Sequence, residues 1–166
     1  MSKPPKLPTA ADFMVRHVHT LAPETKLEQA VEYLLKHEIS NVPVLSGETD
    51  PPTLVGFLSE SDCLEHLAND TFYNRSGSEV RVEQMMKRQP ICVPPEADLF
   101  TLATIFYQQG FRHLPVVEDR HLLGIVSRRD VLKAMYEYWQ DFDRFGESKR
   151  FRPDLSQITN LRFIVK

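Results

Sequence analysis

Cysteine is scarce in this sequence, which contains only Cys63 and Cys92. The two residues form no short-spaced pair, so they build neither a disulfide framework nor a zinc site. We expect both thiols to be reduced and to have structural roles.

Long hydrophobic runs and an excess of positive charge are also missing. No apolar run approaches the roughly 20 residues that a membrane-spanning helix requires, and the start of the chain lacks the apolar core of a secretory signal. With 20 Lys and Arg against 23 Asp and Glu, the formal net charge is -3, whereas a nucleic-acid or anionic membrane partner favours a basic domain. We therefore expect a cytoplasmic protein with no nucleic-acid or membrane partner.

Catalytic and metal-binding patterns are missing as well. No Ser-His-Asp or Cys-His arrangement has an activating context, so we do not expect an enzyme. His17 and His19 alternate as they would on one face of a strand, but no carboxylate or cysteine at ligand spacing completes the set. The sequence therefore predicts no metal site.

The sequence does contain two copies of one pattern. Residues of the first copy recur 72 positions later, and beyond the stretch from Gly47 to Thr53 they recur 68 positions later. The recurring pairs include Met14 and Met86, Arg16 and Arg88, Pro43 and Pro115, Gly56 and Gly124, Ser59 and Ser127, and Asp62 and Asp130. Since one copy cannot bury its apolar face alone, the repeat predicts a single pseudo-symmetric domain.

Hydrophobic periodicity predicts the order β-α-β-β-α in each copy. The first copy is assigned a strand at 18–21, a helix at 27–38, strands at 42–45 and 54–58, and a helix at 59–72. The second is assigned strands at 91–93, 114–117 and 122–126, helices at 99–109 and from 127 past 139, and a late strand at 161–165. The predicted segments are a flexible arm (1–9), the first repeat (10–73), a linker (74–81), the second repeat (82–145) and a tail (146–166).

Two segments resemble a known family. Gly56-Phe-Leu-Ser59-Glu-Ser-Asp62 and Gly124-Ile-Val-Ser127-Arg-Arg-Asp130 each follow a Val-Pro-Val or Leu-Pro-Val strand, and this succession resembles the cystathionine β-synthase (CBS) domain. A tandem pair of these domains is called a Bateman module. The resemblance implies an α/β fold in which two pseudo-symmetric β-α-β-β-α repeats pack sheet to sheet as one module. It also implies two clefts that commonly hold adenosine-containing ligands.

The Ser-x-x-Asp spacing has a physical reason of its own. Ser127 ends a strand and caps a helix, where free N–H groups and the helix dipole favour phosphate. Asp130 lies in the same turn and offers two acceptor oxygens to the hydroxyls of a ribose. The alternative is a capping box, in which the acidic side chain returns to the N–H of the capping serine. Recurrence of the motif at equivalent positions favours the ligand site.

The two copies differ where a phosphate would lie. Cationic and hydrogen-bonding side chains surround the motif of the second copy, whereas the first copy has Glu60 and Ser61 in the corresponding slots and a carboxylate repels phosphate. We predict a nucleotide at the second copy and a nucleoside, or no ligand, at the first. The candidate residues are Ser127, Arg128, Arg129, Asp130, Arg112, His113 and Pro115 in the second copy, and Ser59, Asp62, Asn41 and Pro43 in the first.

The last predicted helix is rich in aromatic residues. A contiguous aromatic patch is not expected to face water, so it packs against the tail or forms a subunit interface, and both alternatives stay open. The rings belong to Tyr136, Tyr138, Trp139, Phe142 and Phe145.

Together these features predict a stand-alone regulatory module that binds an adenine nucleotide (AMP, ADP or ATP), forms a homodimer and acts on an unidentified regulated protein. S-adenosylmethionine and other adenosyl ligands stay open. The alternative function is a ligand-free interaction scaffold whose Ser-x-x-Asp turns are only helix caps.

Overall fold

The computed structural model describes residues 6–72, 79–145 and 159–160. Its helices are α1 (Ala10–Phe13), α2 (Leu27–Lys36), α3 (Glu60–Phe72), α4 (Val82–Met85), α5 (Leu99–Gln109) and α6 (Arg128–Phe145). Its strands are β1 (Asn41–Ser46), β2 (Thr53–Ser59), β3 (Lys87–Arg88), β4 (Ile91–Cys92), β5 (His113–Glu118), β6 (His121–Ser127) and β7 (Thr159–Asn160). Mixed α/β structure is confirmed. The second copy has the predicted order β-α-β-β-α, from β4 to α6, whereas the first copy has only α-β-β-α, from α2 to α3.

Three short elements, α1, α4 and β3, are not anticipated by the sequence. The two helices have four residues each, about one turn, which is too short for a helical period to show, and β3 has two residues. The strand predicted at 18–21 is wrong. Leu21 forms only an isolated bridge to Val44, and Pro23 follows closely and limits further pairing. The strand predicted at 161–165 lies outside the described residues, and β7 directly precedes it.

The chain forms two compact units. Of the described residues, the first-repeat unit contains 17–72, 79–90 and 120–122, and the second-repeat unit contains 6–16, 91–119, 123–145 and 159–160. The segment that opens each repeat therefore belongs to the compact body of the other repeat. The sequence boundaries of the repeats and the boundaries of the compact units consequently differ.

Backbone hydrogen bonds attach these opening segments in the same way in both units. Ala10 N–H in α1 donates to the carbonyl oxygen of Ala97 at 2.8 Å, and the equivalent Val82 N–H in α4 donates to that of Thr25 at 2.8 Å. Beyond these helices, Val15 bridges to Ile125 just as Lys87 in β3 pairs with Phe57 in β2. We call these opening segments the exchanged segments, because each lies in the unit of the other repeat. Both are attached by equivalent hydrogen bonds.

Residues 6–9 of the predicted flexible arm (1–9) belong to the described structure. Leu7 packs against the core of the second-repeat unit, and the carbonyl oxygen of Pro8 accepts a hydrogen bond from Leu99 N–H at 2.9 Å. The expectation of flexibility is therefore corrected for these residues, because the first turn of α5 has a free N–H group that the arm satisfies.

The glycine of each motif leaves space for a methionine of the exchanged segment. A Cβ atom on Gly124 would lie 2.7 Å from the carbonyl oxygen of Val15 and 2.9 Å from Met14 Sδ. A Cβ atom on Gly56 would overlap the side chain of Met86, with Cγ at 2.9 Å. The motif glycines are thus required for close packing of the opening segments.

Each unit has its own apolar core. Strand β1 pairs antiparallel with β2, from Asn41 opposite Ser59 to Ser46 opposite Thr53, and β5 neighbours β6. The first-repeat core contains Leu27, Ala30, Leu34, Val42, Val44, Leu58, Cys63, Val82, Met85 and Met86. The second-repeat core contains Ala10, Met14, Val93, Ala97, Leu99, Leu102, Ile105, Phe106, Leu114, Val116, Val126, Val131 and Ala134.

Neither cysteine forms a disulfide bond, and both are buried. Burial raises the pKa of Cys63 to about 11 and that of Cys92 to about 12, so both side chains are neutral thiols at neutral pH. Their structural role, expected from the sequence, is consistent with these positions.

Among the described residues, none of the helices combines the length and the apolar character needed to cross a bilayer.

Candidate ligand sites

The Ser-x-x-Asp motif of the second-repeat unit lies at the junction of β6 and α6. Asp130 Oδ2 accepts hydrogen bonds from the backbone N–H and the hydroxyl of Ser127, at 2.9 Å and 2.5 Å. In return, Asp130 N–H donates to Ser127 Oγ at 3.1 Å. These bonds form a complete capping box.

The first-repeat unit repeats this geometry at the junction of β2 and α3. Asp62 Oδ2 accepts from the Ser59 N–H at 2.8 Å and from its hydroxyl at 2.5 Å, and Asp62 N–H donates to Ser59 Oγ at 3.3 Å. The capping alternative is therefore present in both repeats. Since the cap uses Oδ2 in each case, Oδ1 of each carboxylate takes no part in the capping bonds.

A second contact, present in both repeats, joins the residue before β1 or β5 to the start of the following motif helix. Arg128 N–H donates to the carbonyl oxygen of Arg112 at 3.0 Å, and Glu60 N–H donates to that of Ser40 at 2.9 Å. This contact places the residues before β5 next to the first turn of α6. The structure thus places Arg112 and His113 next to the Ser127 cap.

The environment of His113 sets its charge. Burial lowers the pKa of His113 below its ordinary value of 6.5; Arg112 lowers the pKa further, and Asp130 opposes the shift. The imidazole is therefore neutral at neutral pH, so it adds hydrogen-bonding groups but no net charge to this part of the surface.

The other predicted side chains divide into exposed cations and buried prolines. Arg112, Arg128 and Arg129 are exposed around the second-repeat cap, so they are available to an anion. Pro115 is buried, and its carbonyl oxygen accepts from Val93 N–H at 3.0 Å. The backbone of Pro115 therefore takes part in pairing β5 with the segment at Val93.

The first-repeat site has a different set of neighbours. Glu60 and Ser61 are exposed at the helix start, and the Asn41 side-chain amide donates to Ser40 Oγ at 3.3 Å. Pro43 is buried, and its carbonyl oxygen accepts from Leu21 N–H at 3.1 Å. The charge contrast between the two sites is thus present at the surface of the structure.

Sequence reasoning missed Lys87 in the first-repeat site. Lys87 Nζ lies 4.0 Å from Asp62 Oδ1, the oxygen that the cap does not use. Lys87 belongs by sequence to the second repeat, so reading each repeat by itself gives no signal for this pair. The repeat offset of 72 equates Lys87 with Val15, which has no charge.

The histidines that the sequence analysis considered for metal binding have another arrangement. His19 is not in a strand; its Nδ1 lies 2.9 Å from Tyr33 Oη, and its ring centroid lies 4.3 Å from that of His37. Among the described residues, no three His, Cys, Asp or Glu side chains form a group that would hold a metal ion.

Each unit has the same α/β arrangement, and each has a helix that begins at a capped serine. The protein therefore belongs to the class of α/β proteins built from two such repeats. The family model described as the CBS domain matches residues 10–69 and 82–137. The chain therefore belongs to the CBS domain family, and the resemblance seen in the sequence is confirmed.

Similar proteins include an enzyme and a CBS-pair protein. Inosine-5'-monophosphate dehydrogenase of Korarchaeum cryptofilum is 32% identical over 123 residues, which are 74% of this chain and 23% of the enzyme. The chloroplastic CBS domain-containing protein CBSX2 of Arabidopsis thaliana is 28% identical over 155 residues, which cover 76% of this chain and 63% of that protein. The chain thus spans less than two thirds of either relative, and the match to the enzyme is confined to its CBS part.

A solved structure supports the fold directly. The crystal structure of CBSX2 in complex with AMP has a TM-score of 0.65 and 29% sequence identity. The similarity covers 78% of this chain and 96% of that chain. The architecture of this chain is accordingly that of a CBS pair.

Proposed function

We propose that this chain is a regulatory module that binds an adenine nucleotide, chiefly through the second-repeat unit. The observation that carries the proposal is the concentration of charge there: the guanidinium groups of Arg112, Arg128 and Arg129 are exposed around a capped helix start. CBSX2, which is 29% identical, has been crystallised with AMP, and this supports an adenosine ligand here.

The geometry suggests how each part of the nucleotide is held. The N–H groups of the first turn of α6 and the nearby guanidinium groups attract the phosphate. Asp130 Oδ1, which the cap leaves to other donors, accepts from a ribose hydroxyl. Neutral His113 adds a hydrogen bond without adding charge, so the arginines supply the positive potential.

Regulation would then follow from differential affinity. A ligand shifts a conformational equilibrium only to the extent that it binds one arrangement better than another. We propose that nucleotide binding favours one arrangement of this chain and thereby changes its contacts with a regulated protein.

We also propose a homodimer through α6. Leu132, Tyr136 and Trp139 lie at i, i+4 and i+7 on this helix, and their side chains are 71%, 56% and 59% exposed. Tyr138 instead packs edge-to-face on Phe100, with ring centroids 5.7 Å apart. The side chains of Phe142 and Phe145 lie outside the described residues. A two-fold dimer buries one such apolar stripe from each subunit.

A second candidate function is a ligand-free interaction scaffold. The complete capping boxes at Ser59 and Ser127 favour it, because each motif has a structural role without any ligand. Native mass spectrometry of the purified chain, followed by calorimetric titration with adenosine, AMP, ADP and ATP, separates the two. A retained or titratable adenosine compound supports the sensor, whereas no binding of any of the four supports the scaffold.

A further inference from the structure

The pairing of β2 with β3 carries a residue of the second repeat into the first-repeat site. Lys87 lies opposite Phe57 in this pairing, and its Nζ is 4.0 Å from Asp62 Oδ1. The Lys87 side chain is 75% exposed, whereas that of Asp62 is only 12% exposed. An ammonium group that is exposed in this way can turn toward an incoming anion at little desolvation cost.

The equivalent position in the other unit has no cation. Val15 pairs with Ile125 by two backbone hydrogen bonds of 2.9 Å, and these residues correspond to Lys87 and Phe57. Different structural elements therefore supply the cationic side chains of the two sites. In the second-repeat site the guanidinium groups come from the helix start and the preceding loop, and in the first-repeat site the ammonium group comes from the exchanged strand.

The charges of the first-repeat site make Lys87 important there. Glu60 and Asp62 both lie in the first turn of α3, and two carboxylates by themselves repel a phosphate. Lys87 offsets one of these charges directly at Asp62. If a ribose hydroxyl of the ligand donates to Asp62 Oδ1, the phosphate of the same ligand would come within reach of the flexible Lys87 side chain.

We propose that Lys87 is a specificity-determining residue that enables the first-repeat site to take a phosphorylated adenosine rather than only the uncharged nucleoside. This inference rests on the proposed function, and it revises the expectation from the sequence that the first site suits a nucleoside or no ligand. It assigns to the exchanged strand a binding role in addition to its packing role.

The test isolates the first-repeat site by Asp130→Ala and compares AMP with adenosine by calorimetry. In this background, Lys87→Met is expected to lower the affinity for AMP about fivefold, as expected for an exposed charge pair, and to leave that for adenosine within about twofold. Lys87→Arg should retain the preference for AMP. Lys36→Met, which removes an exposed cation from α2 in the same unit, is the matched control and should change neither affinity.

The outcomes separate this inference from the proposed function. If the unmodified chain binds none of adenosine, AMP, ADP and ATP, the proposed function is wrong. If it binds AMP but the Asp130→Ala chain binds neither compound, or if Lys87→Met changes both affinities equally or not at all, the role of Lys87 is wrong and the proposed function stands. As a reciprocal test, Val15→Lys in an Asp62→Ala background should increase the preference of the second-repeat site for AMP over adenosine, and an unchanged preference would count against the inference.

Discussion

The backbone N–H of Arg128 donates to the carbonyl oxygen of Arg112 at 3.0 Å. This bond joins the loop before β5 to the first turn of α6, so two exposed arginines that are distant in sequence lie next to one capped serine. The same bond joins Glu60 to Ser40 in the first-repeat unit, where neither side chain is a cation. The same backbone arrangement therefore has two positive side chains in the second-repeat unit, and one negative and one neutral side chain in the first-repeat unit.

This contrast predicts unequal effects of removing the two motif carboxylates. Asp130→Ala should weaken AMP binding about tenfold or more, because a charged hydrogen bond to the ribose is lost. Asp62→Ala, the matched control, removes the same capping contacts from the other unit and should have a much smaller effect on total AMP binding. Isothermal titration calorimetry measures both, and equal losses would contradict the prediction.

The exposed arginines predict a dependence on ligand charge and on salt. AMP should bind more tightly than adenosine, and its affinity should fall with added salt, since exposed ion pairs are screened. Replacing Arg128 and Arg129 together by methionine should remove most of the difference. Lys133→Met on the same helix, whose Nζ is 3.9 Å from Glu137 Oε1, is the control. Adenosine binding as tightly as AMP at low salt would refute this assignment.

The two motif glycines should differ in their tolerance of a methyl group. Gly124→Ala places Cβ against the carbonyl oxygen of Val15, which cannot move without the paired backbone, and should cost about 1–3 kcal/mol of unfolding free energy. Gly56→Ala meets only the side chain of Met86, which can adopt another rotamer. Denaturant titration should therefore show a smaller loss for Gly56→Ala, and the reverse order would contradict the packing described above.

His113 predicts a pH dependence of stability with a definite sign. Because its folded pKa lies below the ordinary 6.5, the unfolded chain binds a proton more readily than the folded protein. The stability that His113 contributes as a neutral group is fully present above about pH 6.5 and is lost as the pH falls through the folded pKa. Urea titrations across this range should show a shallower decline for His113→Gln than for the unmodified chain; parallel curves would show that His113 contributes nothing.

The apolar stripe on α6 predicts a dimer in solution. Sedimentation should give roughly twice the 19.2 kDa monomer mass, and Leu132→Glu with Trp139→Glu should give the monomer, because the isologous interface meets the new charges from both subunits. Glu137→Lys changes the charge on another face of α6 and is the control. A monomer mass for the unmodified chain at micromolar concentrations would rule out this interface.

Local signals in the sequence determined much of this protein. The apolar period predicted α5 with its observed ends, Leu99 and Gln109. In the structure the Asp98 side chain caps the start of this helix, and Gly110 ends it in the left-handed conformation. The spacing of Ser127 and Asp130 likewise predicted both the helix start and the capping alternative that the structure shows. These features depend on neighbours within a few positions, so the sequence alone contains them.

Only the tertiary structure decided which segments complete each unit. Val15 pairs with Ile125, and Lys87 approaches Asp62, across stretches of chain that have no periodic signal of their own. The segments that begin the repeats are too short to bury their apolar side chains alone, and they gain that burial beside Gly124 and Gly56. Because the repeat makes either attachment equally plausible from the pattern, the sequence could not specify the exchange, and the cation beside Asp62 became visible only in three dimensions.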